Sequence, residues 1–322
     1  MIKKKLKIGV LFGGKSAEHE VSIKSAGNII GALDKNKYLI TPIKISKNGQ
    51  FSFDQMKKFD VIFPVLHGPF GEDGSMQGLL KLAGIPFVGP SILGSAVGMD
   101  KDVAKRLFKE AGIPIAKFIV LHIGENMSFK KISKTLGLPI FVKPANLGSS
   151  VGINKVKNEK EWRKALIEAF QYDSKIIIEE NITGREIECS VLGNEQPVAS
   201  IPGEIIPHSE FYSYKSKYID NESVCQIPAK ISKEKIKEIK NMALKVFRVL
   251  NCEGMGRVDF FLKKNGEILV NEINTIPGFT EISMYPKMWE ASGLPLSELL
   301  DRLIVLAIER LGREEKLKTT FN

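Results

Sequence analysis

The stretch that most constrains this chain is residues 256–274, GRVDFFLKKNGEILVNEIN, in which two strand-like runs flank Asn265-Gly266. That dipeptide suits the left-handed backbone of a type I′ hairpin turn. A two-residue turn there sets Asp259 opposite Glu272 and Arg257 opposite Asn274. Because side chains alternate along a strand, these four share one face, which Phe261 and Val270 extend. Directly opposed Cβ atoms lie about 5 Å apart, where two carboxylates repel unless a cation sits between them. Oxygen donors from Asp, Glu and Asn suit Mg²⁺, so the face is a candidate magnesium-nucleotide site. A second reading stands beside it: a solvent-facing hairpin whose charges Arg257 neutralises, with a bulge able to break the register.

A second segment bears on the choice. Residues 141–153, FVKPANLGSSVGI, end a buried strand on Lys143 and continue into a loop rich in glycine and serine. Backbone N–H groups and hydroxyls in such a loop serve phosphate oxygens. It is neither a GxxxxGK[ST] P-loop nor a GxGxxG turn. Alone it reads as a flexible loop; beside the Asp259, Glu272 and Asn274 cluster it points to a nucleotide.

The rest of the chain supplies the frame. In the first third, strand-like runs at 6–12, 38–45, 60–66 and 85–88 alternate with helical patterns at 22–33 and 75–83, as in parallel βαβ units of an open sheet. Such sheets bind ligands at the carboxyl ends of their strands. Glycine-containing loops occur there, at 13–18 and 67–74. A change in composition near residue 98 opens an α+β region, and strands dominate from residue 186. The expected domains are 1–98, an N-terminal α/β unit, then 99–185 and 186–322.

Charge and composition exclude several classes. The net charge of +10 is spread, with 13 basic against 7 acidic residues in 1–98, 16 against 10 in 99–185, and 18 against 20 in 186–322. Without an arginine-rich stripe or zinc-finger spacing, nucleic-acid binding is not indicated. No apolar run is long enough to span a bilayer, and the basic start leads only into a short apolar run at 8–12. Cys189, Cys225 and Cys252 form no CxxC pair, which argues against a disulfide framework or zinc site and for a reducing cytoplasm.

Taken in order, GGKSAEHEVSI (13–23), HGPFGEDGSMQG (67–78), GMDK (98–101), VKPANLGSSVGI (142–153), IIIEENITGREI (176–187), EFYSYKSKY (210–218), GRVDFFL (256–262) and NEINTIPGFTEISMYP (271–286) resemble the ATP-grasp superfamily and, within it, the D-alanine:D-alanine ligases. The resemblance implies an N-terminal open parallel α/β sheet followed by a two-part ATP-grasp fold. It implies ATP as co-substrate, two Mg²⁺ ions with Mn²⁺ as a substitute, D-alanine as substrate, a homodimer and a role in peptidoglycan precursor synthesis. Asp259, Glu272 and Asn274 match metal ligands. Lys101, Lys143, Ser149 and Ser150 match phosphate contacts. Glu179, Glu180 and Ile182 fall in the adenine segment, Glu186 matches the ribose contact, and Phe261 lies against the base.

By the same resemblance, the γ-phosphoryl of ATP passes to one D-alanine carboxylate and the amine of the second attacks the acylphosphate. Arg257 and the Gly278 N–H match the oxyanion donors. Glu18 pairs with the first ammonium group, His67 lies beside the first carboxylate, and Ser283 with the Met284 backbone receives the second. Glu18, Ser149 and Tyr218 match a hydrogen-bonded triad, and Lys217 reaches phosphate from a lid spanning 208–226. On their own, His67 reads as a structural histidine and Glu18 as a helix N-terminal carboxylate. Tyr218 favours the dipeptide over a D-alanine:D-lactate product. Other ATP-grasp amino-acid ligases, a dinucleotide oxidoreductase and a non-catalytic nucleotide module are the competing classes.

Overall fold

The computed structural model describes residues 4–52, 54–206, 224–318 and 320. β1 (Leu6–Gly13), α1 (His19–Ala32), β2 (Tyr38–Ile45) and β3 (Val61–Val65) form the expected βαβ start. The strands pair in parallel in the order β2-β1-β3. The apolar run of β3 is buried throughout, as a sheet covered on both faces requires. Residues 85–88, expected as a fourth strand, contribute only a single parallel bridge from Phe87 to Ile62; the run is too short to propagate a ladder. α2 (Ser75–Leu82) follows the second glycine loop, and α3 (Ile92–Met99), which the sequence pattern did not suggest, leads into α4 (Lys101–Glu110). Asp100 caps α4, accepting from the N–H groups of Asp102 and Val103, the usual role of an aspartate at a helix start.

The second sheet is antiparallel, β4-β7-β5-β6. It is built from β4 (Phe118–His122), α5 (Phe129–Leu136), β5 (Ile140–Pro144), β6 (Asn154–Val156), α6 (Glu159–Ala169) and β7 (Lys175–Glu180). Both helices pack on one face, where Ile132, Leu136, Trp162 and Ala165 meet Ile140, Val142, Ile176 and Ile178.

The third sheet contains β8 (Gly184–Gly193), β9 (Val198–Ala199), β10 (Gly203–Ile206), β11 (Val224–Gln226), β12 (Gly254–Lys263) and β13 (Ile268–Asn274) in the order β11-β10-β8-β12-β13, with β9 beside β8. Residues 198–206 are split between β9 and β10, with Pro202, which has no N–H to donate, in the gap. α7 (Lys233–Val249) covers the apolar side of β12 and β13. α8 (Met284–Ala291) and α9 (Leu296–Glu314) complete the chain.

α9 returns to the first sheet. Leu299, Leu300, Leu303 and Ile304 share a core with Ile8, Val10, Val61 and Phe63, and Asp301 accepts from the Tyr38 hydroxyl at 2.8 Å. Among the described residues no helix is long and apolar enough to cross a membrane, and the three cysteines are free thiols.

Candidate active site

The hairpin carries the site, with one correction to its geometry. Arg257 pairs with Asn274 and Asp259 with Glu272, as expected, but the register then shifts so that Phe261 faces Leu269. The turn spans three residues, closed by Lys263 and Glu267, with Gly266 at φ +84°; this is the three-residue loop that ends in a left-handed glycine. A bulge at Asn271 restores the pairing at Asp259. Beyond that bulge Val270 turns into the core with Phe260 and Ile273, and does not extend the polar face. Arg257, Asp259 and Phe261 do share that face, half-buried, with Glu272 and Asn274.

The structure keeps the arginine pairing of the second sequence reading of this face but not its solvent exposure. The Arg257 guanidinium grips Asp259 with two bonds of 2.7 and 2.8 Å, and Asn274 Nδ2 donates to Asp259 at 3.0 Å. Yet the face is not solvent-facing: Arg257, Glu272 and Asn274 line a cavity of about 460 Å³. Glu188 on β8, opposite Asp259, holds Arg257 from the other side at 3.0 Å. Sequence reasoning missed Glu188, although its alternation with Glu186 and Ser190 placed it on a polar strand face. Among the described residues no three His, Cys, Asp or Glu side chains are grouped as metal ligands. The donor set is two carboxylates and one amide, Asp259, Glu272 and Asn274, and its oxygen chemistry fits a hard divalent cation.

Lysines face this hairpin from the second sheet. Lys143 on β5 ion-pairs with Glu179 on β7, whose other oxygen meets Lys105 at 2.6 Å. Burial alone would raise Glu179, but the two lysines hold it down to about 2. Burial alone would lower Lys143, but Glu179, Glu272 and Glu186 keep it above the ordinary lysine range. Lys101 opens α4, lies 3.4 Å from Glu272 and donates to Leu147 O at 2.6 Å. Glu186 pairs with Phe261 across β8 and β12, and the two line a small pocket with Asp259 and Glu272. Glu180 turns away to accept from Lys117 N–H at 2.7 Å, and Ile182 is half-buried in the loop after β7.

The loop rich in glycine and serine is held at its start and at its tip. Asp173 accepts from Asn146 N and Nδ2 at 2.8 and 3.0 Å. At the tip, Ser149 and Ser150 adopt φ of +50° and +61°, a backbone that costs energy for residues other than glycine. Ser149 Oγ donates to Glu18 at the head of α1. Two members of the expected triad are therefore joined; Tyr218 and Lys217 lie outside the described residues, as does most of the lid.

The N-terminal loops complete the cavity. His67 Nδ1 contacts Ile276 O at 3.1 Å, and burial pushes its imidazolium pKa down. Glu72, also missed from sequence, is buried beside it and accepts from Gly68 N–H at 2.8 Å. Its burial and the Glu18 charge raise it to about 8. At the opposite wall Gly278 lies under Ser283, where a Cβ would come within 2.9 Å of Ser283 Oγ. Ser283 stands at the N-cap of α8, ahead of Met284, so hydroxyl and helix N-terminus together suit a carboxylate. An acceptor-lined end, a donor-lined end and an arginine between them can hold an amino acid and activate its carboxyl group.

Comparison with known proteins agrees with this geometry. The D-ala D-ala ligase C-terminus model matches residues 107–305, and the N-terminus model matches 7–57 and 53–90. A D-alanine–D-alanine ligase from Oceanobacillus iheyensis is 48% identical over 98% of this chain and 99% of its own. Among solved structures, the Coxiella burnetii D-alanine-D-alanine ligase superposes with TM-score 0.88 at 42% identity, covering 97% and 96% of the two chains. The VanG D-Ala:D-Ser ligase of Enterococcus faecalis gives 0.86 at 38%, covering 94% and 100%. The Bacillus anthracis D-alanine–D-alanine ligase complexed with ATP gives 0.83 at 32%, covering 96% and 99%. With both family models matched in order along one chain, this protein belongs to the D-alanine–D-alanine ligase family.

Proposed function

We propose that the chain joins two D-alanines at the expense of ATP, by way of an acylphosphate, as a step in cytoplasmic peptidoglycan precursor synthesis. The observation that carries this reading is the cleft in which Glu18, Ser149, Arg257 and Ser283 converge from three sheets. Lys101 and Lys143 take the phosphates, the loop at Ser149 and Ser150 closes over them, and Glu179, Glu180 and Ile182 flank the adenine. Glu186 meets the ribose and Phe261 the base. Asp259, Glu272 and Asn274 would hold Mg²⁺, which supplies charge neutralisation for phosphoryl transfer when bound.

Arg257, held in place by Asp259 and Glu188, lines the cavity and sets a fixed positive charge beside the oxyanion formed when the second amine attacks. The Gly278 N–H is the second donor. Glu18 orients the first substrate, and Ser283 with the Met284 N–H orients the second. Lys217 and Tyr218 act from the lid. The domains divide the work as 1–98 for substrate, 99–185 and 186–322 for nucleotide, in a homodimer.

The test is phosphate release from ATP with D-alanine, followed by product analysis with D-lactate and D-serine as competing acceptors. D-alanyl-D-alanine as the dominant product is expected. No release with D-alanine refutes the assignment, and preference for D-lactate or D-serine moves it within the family.

A further inference from the structure

A buried carboxylate is balanced by one cation, and Glu179 has two. Lys105 Nζ lies 2.6 Å from Glu179 Oε1, and Lys143 Nζ meets Oε2. Lysine is seldom fully buried, and when it is it needs a partner; here two lysines share one acid, which leaves a positive charge over. The other carboxylates facing Lys143 are Glu272 and Glu186. Glu272 is itself met by Lys101 at 3.4 Å.

The two lysines differ in what they can reach. Lys105 lies one turn beyond Lys101 on α4, on the same inward face as Ala104 and Phe108. Its side chain is 2% exposed, and among the described residues Glu179 is its one ion-pair partner. Lys143 is 13% exposed and stands near the end of β5, just ahead of the loop at 146–153. Lys143 can therefore turn to a ligand in the cleft, whereas Lys105 is walled in on Glu179.

We propose that Lys105 is a positioning residue for Lys143: it stays on Glu179 and keeps that acid neutralised, so that Lys143 can leave for the phosphates of ATP without stranding a buried anion. The proposal rests on the ligase reading of Lys143 as a phosphate contact and adds a residue that touches no substrate. Without Lys105, Lys143 is the sole counter-ion of Glu179, and phosphate has to compete with a buried pair whose separation is costly. The exchange forms and breaks ion pairs only; no proton moves.

The measurement is calorimetry of the full chain with ADP in excess Mg²⁺ and with adenosine, which lacks the phosphates. It is made on the unaltered enzyme, on Lys105→Met and on the double variant Lys105→Met with Glu179→Gln. Lys105→Met is expected to weaken ADP about tenfold and to leave adenosine within about twofold. The double variant removes the acid that would hold Lys143, and the ratio of ADP affinity to adenosine affinity is expected to return to that of the unaltered enzyme. The ratio is the reading because Glu179 also flanks the adenine segment. A purely structural Lys105 moves both ligands together or neither, so an unchanged ratio in the single variant overturns the proposal, as does a ratio that stays low in the double variant. Should thermal melts show Lys105→Met unfolded, the double variant decides by the same criterion. ADP binding no tighter than adenosine in the unaltered enzyme removes Lys143 from the phosphates and the proposal with it; phosphate release from ATP with D-alanine on that preparation then tells whether the ligase reading falls too.

Discussion

Arg257 is useful because it is immobilised. Asp259 accepts from Nε and Nη2, and Glu188 stands 3.0 Å from the same Nε, so in the proposed reaction the guanidinium does not need to be ordered when charge develops on the substrate. Glu188→Gln is expected to lower kcat about tenfold, near 1.4 kcal/mol of barrier, with little change in melting temperature; steady-state kinetics beside a thermal melt checks it. Glu179 behaves differently. Its folded value near 2 lies below the unfolded 4.5, so it contributes stability above pH 4.5 that is lost as pH falls towards 2. Glu179→Gln strands two buried lysines and is expected to cost about 3–5 kcal/mol at pH 7, with a flatter acid limb in denaturant titrations at successive pH values. Glu188 was within reach of the sequence, since the polar alternation 186–188–190 is visible. Its partner was not, because nothing local says that β8 lies beside β12. Glu72 was hidden for a related reason: in GEDG it resembles a turn residue, and only folding buries it against Glu18.

At the scale of elements, one turn serves two segments that the proposed function sets against phosphate. Asp173 anchors the loop through Asn146, and Lys175, two residues on, ion-pairs with Asp100 at 2.6 Å and Asp102 at 3.2 Å. Asp100 in turn caps α4, whose first residue is Lys101. Lys175→Met is expected to raise the KM for ATP about fivefold, since the lost pairing lets the head of α4 shift while Asp100 still caps it, at a cost in stability of about 1 kcal/mol or less. A matching fall in kcat with unchanged KM would argue against positioning. The hairpin shows how an element is legible in one part and not in another. Asn265-Gly266 marked the reversal correctly, and the pairing beside Asp259 came out as expected. The third loop residue and the bulge at Asn271 offset each other in register, so neither leaves a mark in the alternation at Asp259 and Glu272; the residues between them, Ile268, Leu269 and Val270, change sides.

For the whole molecule, the parallel sheet and the two antiparallel sheets meet at one cavity, but their cores are not divided at the same boundaries. The first sheet shares its apolar core with α9, a partnership that alternation within residues 1–98 had no means to show. Leu303→Ala, at a position 1% exposed within that shared core, is expected to cost about 2–5 kcal/mol and to loosen β1 and β3 as much as α9, measured by hydrogen exchange of their amides. Loss of protection confined to α9 would contradict a common core. The same arrangement bears on how the chain is made. Ile8 and Val10 leave the ribosome long before Leu303 exists, and their face of the sheet stays only partly covered, by α1, until the last helix arrives. The nascent N-terminal portion is therefore a natural client for chaperones that shield apolar strands, and it stands finished only after translation has passed the residues that close it.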